Sequence, residues 1–245
     1  MIGPIRALAA RAGYVLWKRD YMRFGIDVCL DVRRLAAARG RLIETIFDVG
    51  AHYGEMRREL RQEFPEAQIH SFEPHPESFR QLAATADSRD GLHQLALSDR
   101  TARLPLHVYG ANAAGSEMDS LEPNAGFALR TDFPVRTIEV ECTTLDSFCA
   151  RQGIERIDLL KIDAEGHDLA VMKGALGMLS AGKIGFVYAE FNDLLDRQGV
   201  AGGSLMPMAQ LLAPRSYRYV TTYTDRVEPA PPLWVSANAL FAFDG

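Results

Sequence analysis

The sequence predicts an α/β fold: a doubly wound, mostly parallel sheet. Three observations carry that expectation. Short apolar segments alternate with helical periodicities from residue 42 onward, turns bearing acids and glycines follow the segments, and 184–189 is almost wholly apolar, as a central parallel strand is. The 245 residues, 47% hydrophobic and 24% charged, suffice for one such core with a small appendage.

The appendage is residues 1–41, read as an N-terminal helical extension because Ile5, Leu8, Ala12, Val15 and Leu16 recur at three- and four-residue steps. It carries nine Arg/Lys against three Asp, whereas residues 42–245 carry 18 basic against 29 acidic side chains. Such a charge run is usually a solvated face; contact with anionic lipid or sugar phosphate is the other reading.

The domain of 42–245 opens with a strand at Thr45–Val49. The helix after it is marked by Met56, Leu60 and Phe64 at four-residue steps and stopped by Pro65. A second strand, Gln68–Phe72, leads to a helix with Pro76 at its first position, and 92–97 reads as a third strand. The stretch 98–143 is less regular, with strands at 104–109 and 137–142 around a polar loop. That length suits a functional insertion better than a linker. A helix over 144–152 ends at Gly153, and Ile157–Ile162 is the fourth core strand. One helix then carries Leu169, Met172, Leu176 and Leu179 on a face and ends at Gly182. After the apolar strand at 184–189 come a helix at 206–212 and two strands, 217–223 and 237–243. Their nearness suggests an antiparallel pair at the sheet edge.

Bulk properties narrow the function. A net charge of −5 and a pI near 5.7 disfavour nucleic acid as a partner. Cys29, Cys142 and Cys149 show neither disulfide nor zinc spacing. No apolar run approaches a membrane span or a signal-peptide core, so cytoplasmic residence is the simplest expectation. The sequence carries no signal of oligomeric state.

Three segments carry chemistry. In Asp48-Val49-Gly50-Ala51-His52-Tyr53-Gly54, a strand turns into a helix whose free N–H groups can face a ligand. An acid at the strand end suits a ligand bearing an ammonium and a sulfonium better than a pyrophosphate. The second segment is Phe72-Glu73-Pro74-His75-Pro76, where Glu73 is placed to accept both ribose hydroxyls of an adenosyl group. Phe72 and Phe79 are candidates to wall the adenine, and the prolines stiffen the loop. The third is Leu159-Leu160-Lys161-Ile162-Asp163-Ala164-Glu165-Gly166-His167-Asp168. Its acids crowd the carboxyl end of a strand and need a cation, for which Lys161, a ligand ammonium and a metal ion are the candidates. Acids here also favour the helix dipole, which accounts in part for Asp168.

These segments, with the intervening Thr143-Thr144-Leu145-Asp146-Ser147-Phe148, resemble the FkbM family of methyltransferases in order and spacing from about Thr45 to Phe191. The resemblance implies a Rossmann-like class I methyltransferase sheet with an antiparallel last strand, S-adenosylmethionine as methyl donor, and a hydroxyl acceptor. Carried onto this chain, it places Asp48, Gly50 and Gly54 along the methionine and ribose and Glu73 on the ribose. Asp163, Glu165 and Gly166 fall near the transferring methyl. The family's Asn is His52 here, which also tolerates left-handed backbone. Its final Glu is the shorter Asp168, and His167, at a position the family varies, reads as structural.

A sugar hydroxyl is a weak nucleophile, so a general base or a metal is expected. Asp163 is the first choice, with Glu165 beside it and Glu190 and Asn192 after the fifth strand. Asp163, Glu190 and Asn192 would also suit Mg²⁺. The acceptor, a sugar, glycolipid or other small molecule, is expected beneath the 98–143 insertion. Asn112, Ser116, Glu117, Asp119, Ser120 and Asn124 could hydrogen-bond it there, and Tyr109 and Phe127 could stack on its ring. A nicotinamide oxidoreductase is disfavoured by the lack of GxGxxG. A binding domain without catalysis is disfavoured by the intact acids.

Overall fold

The computed structural model describes residues 3–14, 16, 18–109, 119–122, 135–191, 204–228 and 234–245. In chain order its strands are β1 (Thr45–Val49), β2 (Gln68–Phe72), β3 (Gly91–His93), β4 (Ala96–Leu97), β5 (Ala102–Tyr109), β6 (Val135–Thr143), β7 (Ile157–Ile162), β8 (Ile184–Phe191), β9 (Tyr217–Glu228) and β10 (Trp234–Phe243). The main sheet has the order β3-β2-β1-β7-β8-β10-β9. Its strands are parallel from β3 to β8, and β10 enters antiparallel between β8 and β9. This is the expected α/β fold with its antiparallel last strand. The order reverses between β1 and β7, so their carboxyl ends flank the crevice where such sheets bind ligands.

The helices are α1 (Gly3–Arg11), α2 (Val28–Ala38), α3 (Glu55–Glu63), α4 (Pro76–Ala84), α5 (Leu145–Gln152), α6 (Asp168–Lys173), α7 (Leu176–Ser180) and α8 (Leu205–Leu212). Both faces of the sheet are covered. Phe47, Leu160 and Val187 pack with Phe148, Val171, Leu179 and Met208. Their strand neighbours Ile46, Leu159 and Phe186 point the other way, to Val32, Ala36 and Leu60. That alternation is the two-residue period of strands buried on both sides.

Three elements differ from expectation. Residues 1–41 are not one helix: α1 and α2 are separated by Gly13 and Gly25, both left-handed. α2 belongs to the core, with Cys29, Leu30 and Val32 buried and the Asp31 carboxylate accepting from the Tyr223 hydroxyl at 2.8 Å. The strand expected at 92–97 is two strands, β3 in the main sheet and β4 in a second sheet of order β4-β6-β5. The helix expected over 169–179 breaks into α6 and α7 at Gly174, whose carbonyl accepts the Asp146 N–H and where a Cβ would stand 2.0 Å from the Ser98 carbonyl oxygen. The Asp146 carboxylate then receives the backbone N–H groups of Gly177 and Met178, capping α7. The insertion expected over 98–143 contributes β5 and β6, paired antiparallel from Ala102–Cys142 to Tyr109–Val135. Among the described residues no helix is long and apolar enough to cross a membrane.

Candidate functional site

A cavity of about 290 Å³ opens at the carboxyl ends of β1, β2, β7 and β8, close to the lower end of the usual range of about 300–1,000 Å³ for small-ligand pockets. Gly50, His52, Phe72, Glu73, Pro74, Asp163, Glu165 and Glu190 all border it. Asp48 and Gly54 do not. Asn112, Ser116, Glu117, Asn124, Phe127 and Asn192 lie outside the described residues.

Asp48 sits behind the cavity wall. Parallel pairing of β1 with β7 sets it directly beside Lys161. The Lys161 ammonium lies 3.1 Å from Asp48 Oδ1 and 3.6 Å from Asp163 Oδ2. It also donates to the carbonyls of Val49 and Gly50, at 3.3 and 3.0 Å. Burial alone pulls the lysine pKa down, but Asp48 and Asp163 more than offset it and hold Lys161 charged above its ordinary value. One ammonium thus ties the two strand ends of the switch point together.

The glycines of the first turn are required by the protein's own packing. At Gly50, with φ +72, a Cβ would stand 1.8 Å from the Asp163 carbonyl oxygen. At Gly54, with φ +84, it would stand 2.8 Å from Leu82 Cδ1. Between them His52 takes the left-handed conformation expected of it, with φ 46.

Glu73 is buried, and both its oxygens are anchored. Oε2 accepts the His52 backbone N–H at 2.9 Å and Oε1 accepts that of His75 at 2.8 Å. Burial raises its pKa to about 7, although those two N–H groups pull it down. Phe72 borders the cavity, but its ring lies in a cluster with Phe47, His93 and Phe148 at centroid distances of 5.2, 4.8 and 4.9 Å. Phe79 does not reach the cavity, whose apolar wall is Leu95, Ala96, Leu97, Leu106 and Leu121.

The opposite end is acidic. One carboxylate oxygen from each of Asp163, Glu165 and Glu190 lies within 4.8 Å of the others. Glu190 Oε1 accepts from Ser236 Oγ at 3.0 Å, while buried Oε2 has no hydrogen-bond partner among the described residues. Burial first, and then Asp163, Glu165 and Asp168, raise the Glu190 pKa well above the ordinary carboxylate value. Asp168 is buried behind the trio, raised to about 7 by burial and by Asp163.

Among the wall residues missed by the sequence reading are Asp225 on β9 and Asn238 on β10, joined by an Asn238 Nδ2 to Asp225 Oδ2 hydrogen bond of 2.6 Å. The signal was a lone amide in the apolar run Ala237-Asn238-Ala239-Leu240. His167, read as structural, is buried between Ser98 and Glu122 and also borders the cavity.

A family model described as the methyltransferase FkbM domain matches residues 48–220. The chain is similar to the 2-O-methyltransferase NoeI of Sinorhizobium fredii, 30% identical over 60% of this chain and 63% of that one. It is also similar to the hexuronic acid methyltransferase AglP of Haloferax volcanii, 25% identical over 69% and 65% of the two chains. A third relative is the 31-O-demethyl-FK506 methyltransferase FkbM of Streptomyces tacrolimicus, 27% identical over 64% of each. The chain spans a little under two thirds of the length of these curated relatives. Among solved structures, it superimposes on the N-methyltransferase NodS from Bradyrhizobium japonicum WM9 with a TM-score of 0.44 and 12% identity, covering 89% of this chain and 95% of that one.

Proposed function

The chain belongs to the FkbM methyltransferase family, and we propose that it transfers a methyl group from S-adenosylmethionine to a hydroxyl oxygen of a sugar, glycolipid or other small-molecule acceptor. The observation that carries this reading is one cavity with an anchored Glu73 at one end and the Asp163, Glu165 and Glu190 trio at the other. The names of the relatives support an oxygen acceptor: two specify O-methylation and one a hexuronic acid.

The residues present fit the cofactor. Both Glu73 oxygens, each already accepting one N–H, retain acceptor capacity for ribose hydroxyls. The Leu95, Leu97, Leu106 and Leu121 wall suits a purine, and the acidic end suits an ammonium and a sulfonium. Bound S-adenosylmethionine would supply an electrophilic methyl group on sulfur.

The chain's own part is to position the acceptor and take its proton. Sequence alone favours Asp163 as the base; the geometry favours Glu190. Burial and the neighbouring carboxylates raise its proton affinity well above that of an ordinary carboxylate, and buried Oε2, without a hydrogen-bond partner among the described residues, keeps a lone pair for the hydroxyl proton. Asp163, tied to Lys161, would orient the acceptor, with Glu165 on its other side. Alignment of this kind can supply about 7–11 kcal/mol of a barrier.

A second reading is favoured by the mutual approach of the three carboxylates. They would hold Mg²⁺ through oxygen, and the ion would acidify the acceptor hydroxyl. A thermal-shift comparison of S-adenosylmethionine, S-adenosylhomocysteine and NAD⁺ tests the cofactor. Stabilisation by the first two alone is expected; stabilisation by NAD⁺ alone would overturn the reading.

A further inference from the structure

Residues 119–122 form a short strap between the two ends of the cavity, and their side chains alternate in what they serve. Asp119 and Leu121 border the cavity, and the Asp119 carboxylate is near enough to Glu73 to help raise its pKa. Ser120 and Glu122 engage the turn that carries Glu165. The Ser120 hydroxyl donates to the Glu165 carbonyl at 2.6 Å. The Glu122 carboxylate accepts from His167 Nδ1 at 2.8 Å, and His167 Nε2 meets Ser98 Oγ at 2.9 Å.

The strap is itself fixed to the second sheet. His107 and Ser120 exchange two backbone hydrogen bonds, at 2.7 and 3.0 Å, and Asp119 Oδ1 accepts the Tyr109 N–H at 3.0 Å. What it holds needs holding. Glu165 has φ 49 and Gly166 φ 89, two left-handed residues in succession. A non-glycine residue in that region persists only when its surroundings impose it. The Ser120 bond lands on the carbonyl of the strained residue, and the Glu122–His167 bond lands two residues on.

We propose that Ser120 and Glu122 are positioning residues for Glu165, and that the strap couples occupancy of the adenosyl end of the cavity to the geometry of the acidic end. This rests on the cofactor reading above. A ligand pressing on Asp119 and Leu121 moves the backbone that carries Ser120 and Glu122, so the Glu165 turn is set firmly when the adenosyl end is filled. The carboxylate trio is then assembled for an acceptor after the methyl donor has entered.

Hydrogen exchange on the full chain, with S-adenosylhomocysteine as the probe, tests this. In the parent protein the ligand should slow exchange at 164–168 by about fivefold or more, the scale of a coupling between sites. In the Ser120→Ala/Glu122→Ala variant, calorimetry should show binding within a few-fold of the parent, while the slowing at 164–168 is lost. Ser120→Thr, which keeps the donor hydroxyl, should retain the parent behaviour. Undiminished slowing at 164–168 in the double variant, or loss of it in Ser120→Thr, would overturn the strap's role. Failure of the parent protein to bind S-adenosylhomocysteine would instead overturn the cofactor reading, and the strap proposal with it.

Discussion

Replacing Lys161 with methionine should destabilise the fold severely, and the structure sets the scale. Asp48 is fully buried, its counter-charge among the described residues is the Lys161 ammonium at 3.1 Å, and Oδ2 has no hydrogen-bond partner. Methionine matches the length of the lysine stem but leaves a carboxylate in the interior and takes the lysine donor from the Gly50 carbonyl, while the Val49 carbonyl keeps the Asp163 N–H. Breaking a buried pair from one side costs about 3–5 kcal/mol. At about 2–4 °C per kcal/mol for a domain of this size, Tm should fall by roughly 6–20 °C. Removing both charges, in Asp48→Asn/Lys161→Met, should recover much of that loss, since the desolvated carboxylate is then gone. Asp163 is partly exposed and can turn to water, so it should not contribute comparably. Thermal unfolding followed by circular dichroism at pH 7 measures all three. A Lys161→Met protein melting within about 2 °C of the parent, or a double variant no more stable than the single one, would refute the reasoning.

Glu73→Ala should weaken S-adenosylhomocysteine binding about tenfold to hundredfold in calorimetry, the scale of about 1.5–3 kcal/mol for hydrogen bonds to a charged group; unchanged affinity would remove Glu73 from the cofactor site. Glu190→Gln should abolish methyl transfer with cofactor affinity retained, and full turnover with a genuine acceptor would exclude Glu190 as the base. If Mg²⁺ occupies the trio, EDTA should stop turnover and Mg²⁺ or Mn²⁺ restore it without affecting S-adenosylhomocysteine binding; an EDTA-insensitive enzyme would leave the base mechanism alone. Glu73 and Asp168 both have pKa values raised to about 7, so the folded state holds protons that the unfolded chain has released, and stability is lost as pH rises through that value. His70, His75 and His93 are depressed by burial, so they oppose part of this as the unfolded chain's imidazoles lose their protons around pH 6.5, whereas Glu190, also raised, adds to it; from about pH 7 to 8 the Tm of the ligand-free protein should therefore fall. A Tm rising across that interval would contradict it. Deleting residues 1–16 should leave Tm nearly unchanged, because Ile5, Leu8, Tyr14 and Leu16 are exposed, whereas deleting 1–41 strips α2 from the core and should prevent folding.

Legibility followed the range of the forces involved. The bounds of β1, β2 and β7 could be read from the chain because apolar runs and punctuating glycines are local signals. So could the meeting of Asp163, Glu165 and Glu190, because strands of a parallel sheet release their next residues on the same edge. The partnership of Lys161 with Asp48 could not, since it depends on the register between strands far apart in sequence. The division of 92–97 into β3 and β4 depends on which sheet each half joins. The break at Gly174 lies where the Ser98 and Asp146 backbones approach, and the glycine itself was the only local hint. Phe72 and Glu73 are neighbours in sequence, but one ring joins an aromatic core and the next carboxylate enters the cavity. Motif membership alone does not divide them.

β10 follows β9 in sequence yet lies between β9 and β8 in space. During synthesis β9 therefore emerges before the strand that attaches it to the sheet. Until β10 arrives, the apolar β8 presents an open edge, with the hydrogen-bonding groups of 186–191 facing no partner. Glu190 lacks Ser236 and Asp225 lacks Asn238 in the same interval. The chain thus passes through a stage in which the parallel half is complete, the acidic end of its cavity has no far wall, and a neighbouring chain can pair where β10 belongs. Nascent chains stalled before β10 are the ones most exposed to misassembly through the unpaired β8 edge.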